Sequence, residues 1–416
     1  MVGGLKAIRE GQMTKVCLVA CVSTKLSEKA PARELYTSPL FQKARSYATS
    51  RFDEWYILSA KHGLLHPDQV IEPYEQTLNK MPKRFRMEWS DRVFKSIVST
   101  IERENILAFV AGERYREDLL ARLAEQGYRV RVPLEGLSIG MQLSWLKKIH
   151  DESDRLQHLD EFYRLLGRLE EGLGGRRVLR DCKGAMDWPE MGLYFFFETK
   201  EFRLSDVEQN RVVRVGTHTV STGSKSTLWG RLRTHRGGVD GSGNHRGSIF
   251  RLHVGSALIN QSSGQIIVPT WGHGQSATAD VRFLEVDLEK KVSEYIGAMS
   301  LLWLAIEDQP GPTSDRAYIE QNAIALLAGK TGPMDLASAS WLGRHSARDA
   351  IRKSGLWNVN YVGDDYDPQF LEVLATYVDV TLGRTPSPKI SIAPSGWASV
   401  KRNRSDRKQL SLFKEE

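Results

Sequence analysis

The stretch LWGRLRTHR, positions 228–236, sets Arg231 and His235 four residues apart, one turn of a helix, with Arg233 and Arg236 beside them. A guanidinium is always protonated, and its fork of donors matches the oxygens of a phosphate. An imidazole accepts or relays protons near neutral pH. Together they suit hydrolysis of a phosphodiester, which needs charge stabilised on the phosphoryl oxygens, an activated water and help for the departing alkoxide.

Further positions fall in order around this helix. Gly192-Leu193-Tyr194 opens the strand-like GLYFFFE (192–198), Arg214-Val215-Gly216 lies in RVVRVG (211–216), Glu320 in RAYIEQNAIALLA and Asn358 in SGLWNVNYV. Taken singly, Tyr194 reads as a core aromatic, Arg214 as a solvated strand charge, Glu320 as an exposed carboxylate paired with Arg316, and Asn358 as a turn residue. In this order and spacing the set resembles the GIY-YIG nuclease superfamily over about 188–365. The resemblance implies a DNA endonuclease with six catalytic residues, Tyr194, Arg214, Arg231, His235, Glu320 and Asn358. In it Arg231 holds the scissile phosphate, Glu320 binds one Mg²⁺ (or Mn²⁺), Tyr194 takes a proton from water, and His235 accepts or relays it. Arg214 stands where the family usually has Tyr, and is expected to activate Tyr194 electrostatically, since a nearby cation stabilises a phenolate. The adjoining GNHRGSIFR (243–251) brings glycines that permit close backbone approach. Asn244, His245, Arg246, Ser248 and Arg251 are expected, with Arg233 and Arg236, to contact DNA.

These residues need elements to hold them. A chain of 416 residues is long for one core and suggests several domains. Strand-like VCLVACV (16–22), WYILSA (55–60), ILAFVAG (106–112) and YRVRVP (128–133) alternate with helical stretches, which predicts an α/β domain over 1–150. DESDRLQHLDEFYRLLGRLEEGLGG has helical apolar spacing and two terminal glycines, which predicts a helical linker over 151–187. Residues 188–383 read as an α+β domain with helical additions, in which SIFRLHV (248–254) is strand-like and the remainder to about 382 mostly helical. Residues 384–416, rich in Pro and Ser before the basic VKRNRSDRK, read as a flexible tail. The expected fold class is multidomain, α/β followed by α+β.

In the first domain Cys21, Ser23 and Lys25 follow one predicted strand, while Ser59, Lys61 and His62 follow another, the arrangement by which open α/β folds build a crevice. Tyr36, Ser38, Pro73 and Tyr74 would complete its walls. ACVSTK, LYTSPLF, ILSAKHGLL, EPYEQTL and PLEGLSIGMQLSWL resemble the YaaA-like superfamily over about 15–148. That resemblance implies DNA binding, with a pocket suited to a flipped or modified base. In the tail QLSLF, through Gln409, Leu410, Leu412 and Phe413, resembles the bacterial sliding-clamp-binding pentapeptide.

A net charge of +7 and a pI near 9.1 suit a polyanionic partner. Three cysteines without a C-x-x-C pair support neither a disulfide framework nor a Cys-rich zinc site. No apolar run approaches the roughly 20 residues of a membrane span, and the N-terminus lacks a signal-like segment, so a cytoplasmic protein is expected. The expected function is an endonuclease directed to modified or damaged DNA, in phage defence or repair. The alternatives are an inactive, clamp-recruited DNA-binding adaptor, or a base-excising enzyme coupled to nicking. A double-strand cut from one such site would call for a homo-oligomer or successive nicks.

Overall fold

The computed structural model describes residues 14–204, 206–218 and 226–397. The Gln409–Phe413 motif and the basic run before it lie outside the described residues. The chain forms two compact units, residues 1–152 with 204–209, and 153–203 with 210–416.

The first unit is built on β1 (Lys15–Ala20), β2 (Glu54–Ser59), β3 (Gly63–Leu65), β4 (Ile106–Val110) and β5 (Arg129–Arg131). They lie in the order β3-β2-β1-β4-β5, with β1 parallel to β2 and β4, β4 parallel to β5, and β3 antiparallel at one edge. Val16–Val19 and Ile106–Val110 are wholly buried, covered on both sheet faces, which is why they read as unbroken apolar runs. Helices α1 (Pro39–Arg51), α2 (Lys83–Thr100), α3 (Glu113–Glu125) and α4 (Ile139–Asp151) connect and follow the strands. Helix α1 starts where it does because the Ser38 side chain accepts the Phe41 N–H and Pro39 occupies the first turn. Leaving β1, the chain steps to one side for β2 and later to the other side for β4, so the strand order reverses at β1.

The second unit opens with α5 (Ser153–Gly172), followed by β6 (Arg177–Val178), β7 (Gly192–Phe202), β8 (Asn210–Thr217), α6 (Leu228–Arg236), α7 (Ile249–Gln261), α8 (Ala279–Gly297), β9 (Ser300–Ala305), α9 (Asp315–Ala328) and α10 (Phe370–Thr381). The antiparallel sheet has the order β8-β7-β9-β6. Tyr194, Phe196, Leu301 and Trp303 share a core with Leu232, Phe250, Val254, Val292 and Trp357.

Two expectations change. The segment 151–187 does not form a free linker: α5 buries Leu156, Leu159, Phe162, Leu165, Leu166 and Leu169 within the second unit, and Phe162 packs edge-on against Phe195. SIFRLHV is not a strand but the start of α7, because Ser248 caps it through the Arg251 N–H, and a short apolar run alone does not separate buried helix from buried strand. The same ambiguity hides β9, whose SLLWLA lies in a stretch read as helical. Among the described residues no helix is long and apolar enough to cross a membrane.

Candidate active site

Strands β7 and β8 pair so that Tyr194 lies opposite Gly216, and Phe196 opposite Arg214. On its other side Tyr194 faces Trp303 of β9, so the phenol is held in the middle of the sheet and is wholly buried. Gly216 has no side chain to occupy the space over which the Tyr194 hydroxyl extends. That hydroxyl meets His235 Nε2 at 2.8 Å.

His235 is delivered by α6. Thr227 caps the helix by accepting the Gly230 N–H, and Gly237 ends it with φ +84°, a left-handed value that suits glycine. Leu228, Leu232 and His235 form its buried stripe, while Arg231 remains partly exposed. His235 Nδ1 lies 2.7 Å from Ser248 Oγ, so Tyr194, His235 and Ser248 form one continuous buried chain. Burial, followed by the charges of Arg231, Arg214 and Arg251, holds the His235 pKa well below its ordinary range. A neutral imidazole between two hydroxyls has two tautomers, each donating to one hydroxyl and accepting from the other.

Glu320, on α9, takes the Thr217 N–H at 3.2 Å through Oε1. Its other oxygen has no hydrogen-bond partner among the described residues. Burial pushes its pKa up to about 7 against the opposing pull of Arg214, Arg231 and Arg316. Arg316 is not its salt-bridge partner, being bound to Asp308 at 2.5 Å. Arg231 makes no side-chain hydrogen bond or ion pair among the described residues, yet its charge bears on His235, Glu320 and His218. The site therefore presents an uncommitted guanidinium and an uncommitted carboxylate oxygen, both partly exposed.

Arg214 is buried, donates from Nη1 to the Trp357 carbonyl at 2.8 Å, lies over the Phe250 ring and leaves Nε without a partner. Its charge acts on His235 and Glu320. Asn358 accepts the Val215 N–H at 3.1 Å and donates to the Val215 carbonyl at 2.8 Å. It thus satisfies the open edge of β8 as another strand would, and so fixes Arg214 and Gly216 on either side. His218, which sequence reasoning missed, follows β8 directly. It is buried beside Glu190 and Gly192, and both ring nitrogens lack a well-aligned hydrogen bond. Burial and the neighbouring Arg316 and Arg231 push its pKa down to about 4. A histidine directly after the strand-like RVVRVG was the available signal.

The GNHRGSIFR segment does not present the expected row of DNA donors. Arg251 is fully buried, paired with Glu289 and bonded to Ser293 and the His235 carbonyl. His245 is buried, bonded to Glu289 at 2.9 Å and stacked on Trp271. Arg246 binds Glu285 at 2.6 Å with its side chain almost wholly covered, and Ser248 serves as helix cap and His235 partner. Arg251, His245 and Arg246 are turned inward because a buried guanidinium or imidazole must find a partner, and Glu285 and Glu289 on α8 supply it. Asn244 is exposed but its side chain caps a short turn, and Arg236 donates to the Cys182 carbonyl. Arg233 remains exposed.

No group of three or more His, Cys, Asp or Glu among the described residues is placed to hold a metal ion. Glu320 offers one carboxylate oxygen, half shielded from water, a donor set compatible with a hard divalent cation that keeps most of its own waters. In the first unit Cys21, Lys25, Tyr36, Ser59, Lys61, His62 and Tyr74 converge at one end of the sheet, with Ser23 exposed beside them. Ser38 belongs to the α1 cap instead.

A family model described as a GIY-YIG domain matches residues 153–383, and a second, a family of unknown function (DUF6884), matches residues 16–148. A curated relative, the uncharacterized protein YfjM of Bacillus subtilis (strain 168), is 29% identical over 158 residues, which are 35% of this chain and 100% of the relative. No solved structure matches.

Proposed function

The chain belongs to the GIY-YIG family through residues 153–383, and from that premise we propose a metal-dependent DNA endonuclease whose phosphate-facing pair is Arg231 and Glu320. A GIY-YIG domain indicates a nuclease, a hydrolase of phosphodiester bonds, and such nucleases generally depend on a divalent metal. The observation that carries the reading is the coexistence of an unpaired Arg231 with a Glu320 carboxylate raised to about 7 by burial. Both depart from the rule that buried or half-buried charges are paired, and both lie in one electrostatic field.

In this reading Arg231 holds the nonbridging oxygens of the scissile phosphate through its fork of donors. The Tyr194–His235–Ser248 chain moves a proton along its two hydrogen bonds, with burial first, and then the charges of Arg231, Arg214 and Arg251, keeping His235 neutral. Glu320 would hold the cation, Mg²⁺ first and Mn²⁺ as its substitute, and the ion would stabilise charge on the leaving oxygen. Arg214, in place of the usual tyrosine, acts on the imidazole and the carboxylate through charge. The first unit, through its polar cluster, is assigned the recognition of a modified or damaged base, in phage defence or repair. Gln409, Leu410, Leu412 and Phe413 are assigned to docking on a sliding clamp, and a double-strand cut would come from two copies or two successive nicks.

A second reading, a DNA-binding adaptor without cleavage, is favoured by the complete burial of Tyr194 and His235, which keeps both from bulk water. Native, modified-base and abasic duplexes incubated with Mg²⁺ separate the two. Cutting by the wild type that vanishes in Arg231→Ala and Glu320→Gln supports the nuclease, and intact DNA in all lanes with retained binding supports the adaptor.

A further inference from the structure

The first unit carries a second constellation at the place where an open parallel sheet takes ligands. Strand order reverses at β1, and the crevice outside the carboxyl ends of strands at such a reversal is the usual binding position in these folds. Cys21 follows the end of β1, Ser59 ends β2, and Tyr115 sits in the first turn of α3, just after β4. The Cys21 thiol bridges the reversal: Sγ lies 3.3 Å from Tyr115 Oη and accepts the Ala60 N–H at 3.3 Å.

Beside it, Tyr74 Oη lies 2.8 Å from Tyr36 Oη and 2.7 Å from Ser59 Oγ, and Ser59 Oγ also receives the His62 N–H at 3.0 Å. Ser59 also acts on the Tyr36 hydroxyl, so the three form one linked cluster of donors and acceptors at a place where all three residues are buried. Burial pushes the Tyr36 phenol up to about 12 and raises Tyr74 as well, so both stay protonated donors. Around this floor runs a cationic rim. Lys25 Nζ lies 4.3 Å from the Tyr74 ring centroid and Lys61 Nζ 5.7 Å from it, and neither forms an ion pair among the described residues. Lys25 is half-buried, and that desolvation pulls its pKa below the usual lysine range. His62 meets the same ring edge-on.

A floor of linked hydroxyls and a rim of two ammoniums without an ion pair among the described residues, Glu75 acting on Lys25 only through space, fits a ligand with an anionic end and a neutral, acceptor-bearing ring. We propose that the first unit binds a nucleotide there, its phosphate at Lys25 and Lys61 and an acceptor of its base on the Tyr36–Tyr74–Ser59 hydroxyls. The nucleotide is either free or one unit of a DNA strand, since both present the same chemistry. This deepens the recognition role given to the unit above, and binding alone tests it, so its failure leaves the cleavage reading untouched.

The test is calorimetric titration of the full chain with each deoxynucleoside 5′-monophosphate and, separately, with a single-stranded oligodeoxynucleotide. It compares the wild type with Lys25→Met/Lys61→Met and with Tyr36→Phe, whose melting temperatures report that folding persists. Mononucleotide binding that weakens at least tenfold in the double variant and about fivefold in Tyr36→Phe supports a site for the free ligand. Binding of the strand alone, with the same losses, supports the site with DNA as its source. Absence of binding by either ligand, or binding that both variants retain at wild-type strength, overturns the proposal.

Discussion

Tyr194 Oη and His235 Nε2 are 2.8 Å apart, and neither residue has measurable exposure to solvent. In the proposed mechanism the phenol passes its proton to the imidazole, and the imidazole in turn to Ser248, so the three would act as a unit. Tyr194→Phe and His235→Gln are each expected to slow cleavage by about a hundredfold or more, the usual worth of positioned proton transfer. The double variant is expected to lose little beyond either single one, because members of one network are not additive. Single-turnover rates on one duplex check both statements, and a double loss equal to the product of the singles would remove the relay.

Glu320 links activity to stability through one pKa. Its carboxyl is raised from the ordinary 4.5 to about 7 in the folded chain, so the folded state keeps a proton that the unfolded state releases. This contribution to stability is fully present below pH 4.5 and is lost as pH rises through 7. Glu320→Gln is therefore expected to match the wild type in acid but exceed it above pH 7 by about 1–3 kcal/mol, the figure reduced for partial exposure. Melting temperatures across pH check the sign. Cleavage by the wild type should rise as pH passes about 7, where the carboxylate ionises and can hold a cation.

The strands of the first unit were legible because a sheet covered on both faces writes itself as continuous apolar runs, as in VCLVACV and ILAFVAG. Helix α6 was legible from its basic face. What stayed hidden depends on partners distant in sequence. Nothing in GNHRGSIFR shows that Glu285 and Glu289, about 40 residues on, neutralise Arg246, His245 and Arg251. Nor does SGLWNVNYV show that Asn358 binds the Val215 peptide 143 residues earlier. Residue type suggested chemistry in both places, and only burial decided between contact and support.

Arg233 and Arg251 are therefore expected to behave oppositely, although both read as DNA contacts. Arg251 with Glu289 is a buried, multiply bonded pair, and removing one partner leaves an uncompensated charge. Glu289→Gln is expected to cost about 3–5 kcal/mol in denaturant unfolding. Arg233→Ala, at an exposed position, should leave stability unchanged while lowering DNA affinity and reducing the salt slope by about 1. Measured salt dependence that is identical in Arg233→Ala and wild type would remove Arg233 from the interface.

Gly216 gives the sharpest test of whether the sheet exists to seat Tyr194. A Cβ built on Gly216 overlaps the Tyr194 hydroxyl and ring, whereas the backbone there is ordinary strand, so conformational freedom is not the reason for glycine. Gly216→Ala must push the phenol away from His235 or spread β7 from β8. Overpacking of this kind is expected to cost about 1–3 kcal/mol. Cleavage should fall as far as in Tyr194→Phe, since both break the same 2.8 Å contact. The combination Gly216→Ala with Tyr194→Phe separates the causes: removing the hydroxyl relieves part of the overlap, so stability should partly recover while cleavage does not. Recovery of both together would mean that the Tyr194 hydroxyl has no part in the chemistry.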